Sequence, residues 1–187
     1  MSAANRASQC STLRLSLGED KVFEPNTTLY AQCQNSYYAQ QERDLSPNCV
    51  VRPAHSSDVA LVVKKISLLN LAGSQTKLAI RGGGHSPNPG SANINNGVTM
   101  DMRSMNTVTV SSDRSIVSIG AGALWSEAYP MLDALGLSIS GGRLSNVGVA
   151  GLTLGGTAKL CGSILYHNID FKPRRFVLLL STERLCL

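Results

Sequence analysis

An α+β fold is what the sequence predicts, and three observations predict it. A strand–helix–strand pattern occupies residues 49–81, a period of two follows in two short runs, Val108 and Val110 and then Ile116, Val117 and Ile119, and glycine clusters stand where strands end. The 187 residues suffice for one domain with a substantial core and are too few for two comfortable ones. Seventeen glycines against three Phe, five Tyr and one Trp indicate many turns around a light aromatic core.

Residues 1–44 are polar and irregular and read as an N-terminal arm packed on the domain proper. Leu13, Leu15 and Leu17 alternate weakly, which fits a short strand, while a single helical turn fits about as well. Asn35, Ser36, Tyr37 and Tyr38 read as a loop entering a short helix. From residue 45 the domain begins. CVVR at 49–52 is a short strand that Pro53 ends, and Ser56 or Ser57 is placed to cap a helix with Asp58 in its first turn. Val59, Val62, Val63, Ile66 and Leu69 fall on one helical face, Gly73 permits a stop, and residues 77–80 return as a strand.

The stretch KLAIRGGGHSPNPGSANINNGVTMD at 77–101 organises the rest. It reads as strand, tight glycine turn, His85, exposed loop and second strand ending at Asp101, for which a structural role is expected. Three consecutive glycines admit positive φ and let backbone N–H groups approach a phosphate with no Cβ in the way. Arg81 suits a phosphate or a structural ion pair about equally. Beyond it, a hairpin spans 107–119, and a helix from about 124 to 135 points Trp125, Ala128, Tyr129, Leu132 and Leu135 inward, with Pro130 expected to kink it and Gly136 to end it. Trp125 reads as core. LSIS at 137–140 is a further short strand, and the glycines at 141, 142, 148, 151, 155 and 156 suggest a second backbone-lined site close to the first.

A net charge of +5 without a basic run interleaved with aromatics argues against nucleic acid and is compatible with a phosphate-rich ligand. No apolar run reaches membrane-span length, and the N-terminus lacks the apolar core of a signal peptide, so a cytoplasmic location is the default expectation. The five cysteines show no CxxC spacing, which weighs against structural zinc; no metal site is expected. Cys33 and Cys49 can pair in an oxidising compartment, or the cysteines can be free buried thiols. His55 reads as ordinary surface, and no Ser/His/Asp or Cys/His catalytic set is visible, so catalytic residues are not assigned.

The ordered blocks CVVRP at 49–53, RGGGHSPNPGSANI at 81–94, GVTMDMRSMN at 97–106, IGAGALW at 119–125, LGLSISGGR at 135–143 and VGVAGLTLGG at 147–156 resemble a known family. It is that of FAD-linked oxidoreductases related to vanillyl-alcohol oxidase and para-cresol methylhydroxylase. Within it the chain is similar to berberine-bridge-like enzymes common in fungal secondary metabolism. The resemblance covers roughly residues 35–156. It implies the N-terminal part of a two-subdomain FAD-binding domain of the para-cresol methylhydroxylase type, FAD as cofactor, and an oxygen-dependent oxidation of a small organic molecule.

The resemblance also implies site residues. Arg81, Gly82, Gly83, Gly84, His85, Ser86 and Asn88 would wrap the pyrophosphate, with His85 bonded covalently to the flavin. Gly142, Ser145, Asn146, Gly148, Gly151 and Leu152 would form a second cofactor loop. Many members carry a cysteinyl link as well; its position is matched here by Leu144, so a single covalent link is implied. Residues 157–187 depart from the family pattern and read as a divergent tail that packs poorly, its FVLLL run prone to aggregate. The substrate domain of the family is expected to be missing, so the chain reads as a truncated form. The alternative function is accordingly a non-catalytic remnant of the FAD domain, or an interaction protein.

Overall fold

The computed structural model describes residues 3–114, 116–137, 139 and 141–155, with side chains from residue 9, and the backbone of 178–180. The chain divides into two compact units, Met1–Ser104 and Met105–Leu187.

The first unit contains α1 (Ala3–Leu17), β1 (Val22–Phe23), α2 (Thr28–Asn35), α3 (Gln40–Arg43), β2 (Cys49–Val51), α4 (Ser56–Leu71), β3 (Leu78–Arg81) and β4 (Val98–Asp101). Its sheet runs β1-β2-β4-β3. β2, β4 and β3 are parallel, and β1 adds antiparallel at the edge. The β2–α4–β3 connection therefore skips one position, which β4 fills after the long loop from residue 82 to 97. Continuous apolar runs fit this placement: Val50, Val51, Val98 and Met100 are buried in central strands. At about 1.5–3 kcal/mol for each large apolar side chain removed from water, they dominate the stability of the sheet.

The segment 1–44, expected as a polar arm, supplies three helices and an edge strand to this unit. In α1 the buried apolar positions are Cys10, Leu13 and Leu17, a helical spacing, whereas Leu15 is 89% exposed. Of the two readings of 13, 15 and 17 the strand falls and the helical one holds, extended from one turn to a fifteen-residue helix. α1 packs on α4, and Cys10 is disulfide-bonded to Cys49 at the start of β2. The cysteine expectation is corrected in the same way: Cys49 pairs with Cys10, and Cys33 is a free buried thiol.

α4 begins where expected, but neither Ser56 nor Ser57 is its cap. His55 holds that position, and the Asp58 carboxylate accepts from the backbone N–H groups of Ala54 and His55 and from Lys21 Nζ. Val62 and Ile66 are buried as predicted, while Val63 is exposed.

The second unit contains β5 (Val108–Val110), β6 (Val117–Ile119), α5 (Trp125–Asp133), α6 (Val149–Leu154) and β7 (Leu178–Leu180). β5 and β6 form the predicted antiparallel hairpin, and β7 extends it in parallel to β6. Part of the expected divergent tail thus forms a sheet strand; residues 156–177 and 181–187 lie outside the described residues. Val108, Val117, Ile119, Ala123, Trp125, Ala128, Leu132 and Val149 make one core cluster. α5 accommodates Pro130 and ends at Asp133, and Gly136, with a φ of +64°, lies three residues beyond it. The strand expected at 137–140 has no ladder at Leu137 or Ile139; Ser138 and Ser140 lie outside the described residues.

Candidate functional site

The glycine turn leaves the sheet at the carboxyl end of β3, where open α/β sheets receive ligands. Arg81, its first residue, is fully buried, so its guanidinium is turned under the loop. Nη1 donates to the Cys33 carbonyl at 2.7 Å and to Cys33 Sγ at 3.4 Å, and Nη2 donates to the Ser36 carbonyl at 3.0 Å. The guanidinium carbon lies 3.7 Å from the centre of the Tyr37 ring. Buried Nε has no hydrogen-bond partner among the described residues. Every donor that the Arg81 side chain uses among the described residues faces the chain.

Gly84 sits directly on this platform. Its φ is +71°, and a Cβ added there would lie 2.7 Å from Arg81 Nε and 3.0 Å from the Tyr37 ring. Gly82 and Gly83 remain half-buried. The Gly84 carbonyl accepts from the Tyr38 N–H at 3.1 Å. The next residue, His85, stacks its half-buried imidazole on the Tyr38 ring, with centroids 4.0 Å apart and planes 12° from parallel. Among the described residues neither imidazole nitrogen makes a hydrogen bond, so a ring lone pair is free to act as nucleophile or acceptor.

The loop that follows is tied down from below. Ser86 Oγ accepts from the Asn88 N–H, and the Asn88 carbonyl accepts from Ser91. Glu42 is fully buried, and its Oε1 accepts from Ser91 N, Ser91 Oγ and Ala92 N at 2.9, 2.7 and 3.0 Å. Tyr37 Oη donates to the Ala92 carbonyl, and Asn93 Nδ2 donates to the carbonyls of Glu42 and Leu45. Burial, tempered by Arg81, pushes the Tyr37 phenol far above its ordinary pKa, so it stays a donor.

Beside the loop lies an ion cluster centred on buried Asp101. Arg103 donates to it from N, Nε and Nη2, and Arg52 from Nε and Nη2. Burial works to raise the Asp101 pKa, but the Arg103 bonds and charge, with Arg81 and Arg52 behind them, hold it well below the usual carboxylate range. Cys33 Sγ donates to Asp101 Oδ2 at 3.3 Å, and burial followed by the Asp101 charge raises the thiol pKa. The structural role expected of Asp101 is what this network gives it.

In the second unit the glycine-rich stretch is shaped first by Trp125. A Cβ on Gly141 would collide with the indole ring, and one on Gly142 would lie 2.7 Å from Trp125 Nε1 and 2.6 Å from Leu152. Gly142, expected at the cofactor, is buried against the core for that reason. Trp125 is fully buried, as its helical position predicts. Gly148 caps α6 and bridges to Leu124, and the Ser145 carbonyl accepts from Ser126 N. Ser145, Asn146 and Gly151 are exposed, Leu152 is half-buried, and Leu144 is 58% exposed. A Cβ on Gly151 would meet open space.

Within the first unit, then, the structure brings the predicted residues 81–88 together on a base of Tyr37, Tyr38 and Glu42. Sequence reasoning missed that base. Its signal was weak, paired tyrosines and a glutamate in a polar stretch, because the hydrogen bonds run to residues 46–55 positions away.

A sequence profile described as "FAD binding domain" matches residues 47–169. An FAD-dependent monooxygenase of Cercospora beticola is 32% identical over 162 residues, 86% of this chain and 30% of the relative. One of Fusarium proliferatum is 40% identical over 120 residues, 64% of this chain and 22% of the relative. The chain thus spans about 30% or less of the length of such curated relatives. Among solved structures, 6-hydroxy-D-nicotine oxidase from Arthrobacter nicotinovorans superposes with a TM-score of 0.60 at 26% identity, over 71% of this chain and 27% of that one. Glucooligosaccharide oxidase from Acremonium strictum gives 0.64 at 23% identity, over 79% and 30% respectively, and shares the fold. With six sequence blocks in order, a matching profile and a matching fold, the chain belongs to the FAD binding domain family of the para-cresol methylhydroxylase and vanillyl-alcohol oxidase type, and its cofactor is FAD.

Proposed function

We propose that this chain is the cofactor-holding part of an oxygen-dependent, FAD-linked oxidoreductase that acts on a small organic molecule. The observation that carries the reading is the glycine turn seated on buried Arg81. A side chain at Gly84 would fill the space between turn and platform, and the half-buried glycines before it leave backbone exposed to a ligand. Such a turn offers N–H donors to a pyrophosphate, and bonds to a charged acceptor are stronger than neutral ones. FAD, when bound, supplies the acceptor for two electrons from the substrate and passes them to oxygen.

The chain's own residues do the rest. Arg81 holds the turn from beneath and adds positive potential under it without touching the ligand. Glu42 and Tyr37 fix the loop that follows, so the backbone beyond His85 does not drift. Tyr38 holds the imidazole plane, and the unengaged ring nitrogen is the group we assign to the covalent link. Gly82, Gly83 and Gly84 are assigned to the pyrophosphate, and Ser86 and Asn88 to the outer edge of the same loop. In the second unit Ser145, Asn146, Gly148, Gly151 and Leu152 are assigned to the second cofactor loop, with Gly142 reserved to packing. Exposed Leu144 has no thiol, so one covalent link is the expected number. The Cys10–Cys49 bond is of a kind that persists in oxidising compartments, against the default of a cytoplasmic protein.

The test is to supply FAD to the purified chain and to His85→Ala, precipitate both in acid, and record flavin absorbance and intact mass. Acid-stable flavin in the parent and free flavin from the variant are expected. Equal retention by both removes His85 as the anchor. No binding by either removes the cradle reading for this chain.

A further inference from the structure

The arginine cluster beside the glycine turn carries a charge imbalance that the flavin reading does not use. Arg52, Arg81 and Arg103 gather around one carboxylate, Asp101; among the described residues the ion pairs of Arg52 and Arg103 go to it alone, and Arg81 donates to Cys33 and Ser36. Burial raises the Cys33 thiol pKa and keeps it neutral, so among the described residues three guanidinium charges face the one carboxylate of the cluster and two are left without an ion-pair partner of their own. Arg52 and Arg103 have side chains only 24% and 26% exposed, which limits screening of that excess by water.

A pocket of about 290 Å³ opens on the cluster, lined by Gln32, Arg52, Arg103 and Ser104. Arg52 directly follows β2 and Arg103 follows β4, so the pocket stands at the carboxyl ends of two neighbouring parallel strands. Its lining residues carry unused donors. Arg52 gives Nε and Nη2 to Asp101 and keeps Nη1, while the Gln32 amide and the Ser104 hydroxyl make no hydrogen bond among the described residues.

We infer that this pocket binds a phosphate group, with Arg52 and Arg103 as its charge partners and Gln32 and Ser104 as neutral donors. An excess of two charges is matched by a doubly charged oxyanion rather than by a monocarboxylate, and guanidinium geometry suits phosphate oxygens. None of the four lining residues belongs to the glycine turn, so the inference does not rest on the flavin assignment.

Calorimetric titration of the 187-residue chain with inorganic phosphate, against chloride at matched ionic strength, tests it. The variant Gln32→Glu/Ser104→Asp places two negative charges at the pocket mouth and leaves the Asp101 network untouched; near-UV circular dichroism checks its fold. Lys77→Glu makes the same change in net charge at an exposed site before the amino end of β3. Phosphate affinity is expected to fall at least tenfold in the double variant and by less than twofold in Lys77→Glu. AMP in place of phosphate distinguishes the source: tighter binding that the double variant loses assigns a nucleotide-borne phosphate, and equal or weaker binding assigns the free ion. Unchanged phosphate affinity in the double variant, an equal loss in Lys77→Glu, or no binding beyond that of chloride in the parent overturns the inference.

Discussion

Gly84 is held between a backbone torsion and a buried cation. Its φ of +71° strains any side-chain-bearing residue, and its missing Cβ is the space into which Arg81 and Tyr37 pack. Gly84→Ala is therefore expected to lower unfolding free energy by about 1–3 kcal/mol, read from the denaturant midpoint. Asp101 is the second residue on which the first unit depends. Its folded pKa is depressed, so its stabilisation is fully present above the ordinary carboxylate value and is lost as pH falls through the folded one. Asp101→Asn leaves Arg52 and Arg103 without their carboxylate, and a loss of about 3–5 kcal/mol at pH 7 is expected. Denaturant midpoints at pH 7 and pH 3 check this, because the gap between parent and variant should narrow in acid. The glycine triplet was legible in the sequence because nothing else in a chain tolerates that density so locally. The inward turn of Arg81 was not legible, since its partners at Cys33 and Ser36 lie 48 and 45 residues earlier.

The elements with one dominant period were legible before any coordinates. Val62 and Ile66 mark α4, and the alternation of Val108, Val110, Val117 and Ile119 marks the β5–β6 hairpin. α1 was left open between strand and helical turn because Leu13, Leu15 and Leu17 alternate, whereas the buried apolar set is Cys10, Leu13 and Leu17. Its disulfide had no local signal at a separation of 39 residues. In the chain-entropy account a loop of that size contributes about 4 kcal/mol, so reduction, or Cys10→Ser with Cys49→Ser, is expected to destabilise the first unit by up to that amount. Thermal unfolding with and without reductant measures it. For α5, Trp125 is wedged against Gly141 and Gly142, and Trp125→Ala is expected to lose about 3–5 kcal/mol in the second unit. Retained ellipticity and an unchanged midpoint in that variant would mean the indole does not hold the stretch from 141 to 152.

For the whole molecule, each of the two units presents a glycine-rich stretch of its own. The family and cofactor were legible because six blocks stand in order; the base of Tyr37, Tyr38 and Glu42 was not, because it is assembled from a polar segment with no period. The central claim is that the turn after β3 holds FAD and that His85 carries it. Cleavage after Arg81 and Arg103 releases residues 82–103 as one peptide, in which His85 is the sole histidine. Mass spectrometry of that peptide, from chain supplied with FAD and then denatured, addresses the claim most directly. The expected result is the peptide carrying the flavin mass, with fragment ions that assign it to His85. Flavin found on a different peptide, or this peptide recovered unmodified while flavin stays bound elsewhere on the chain, would contradict it.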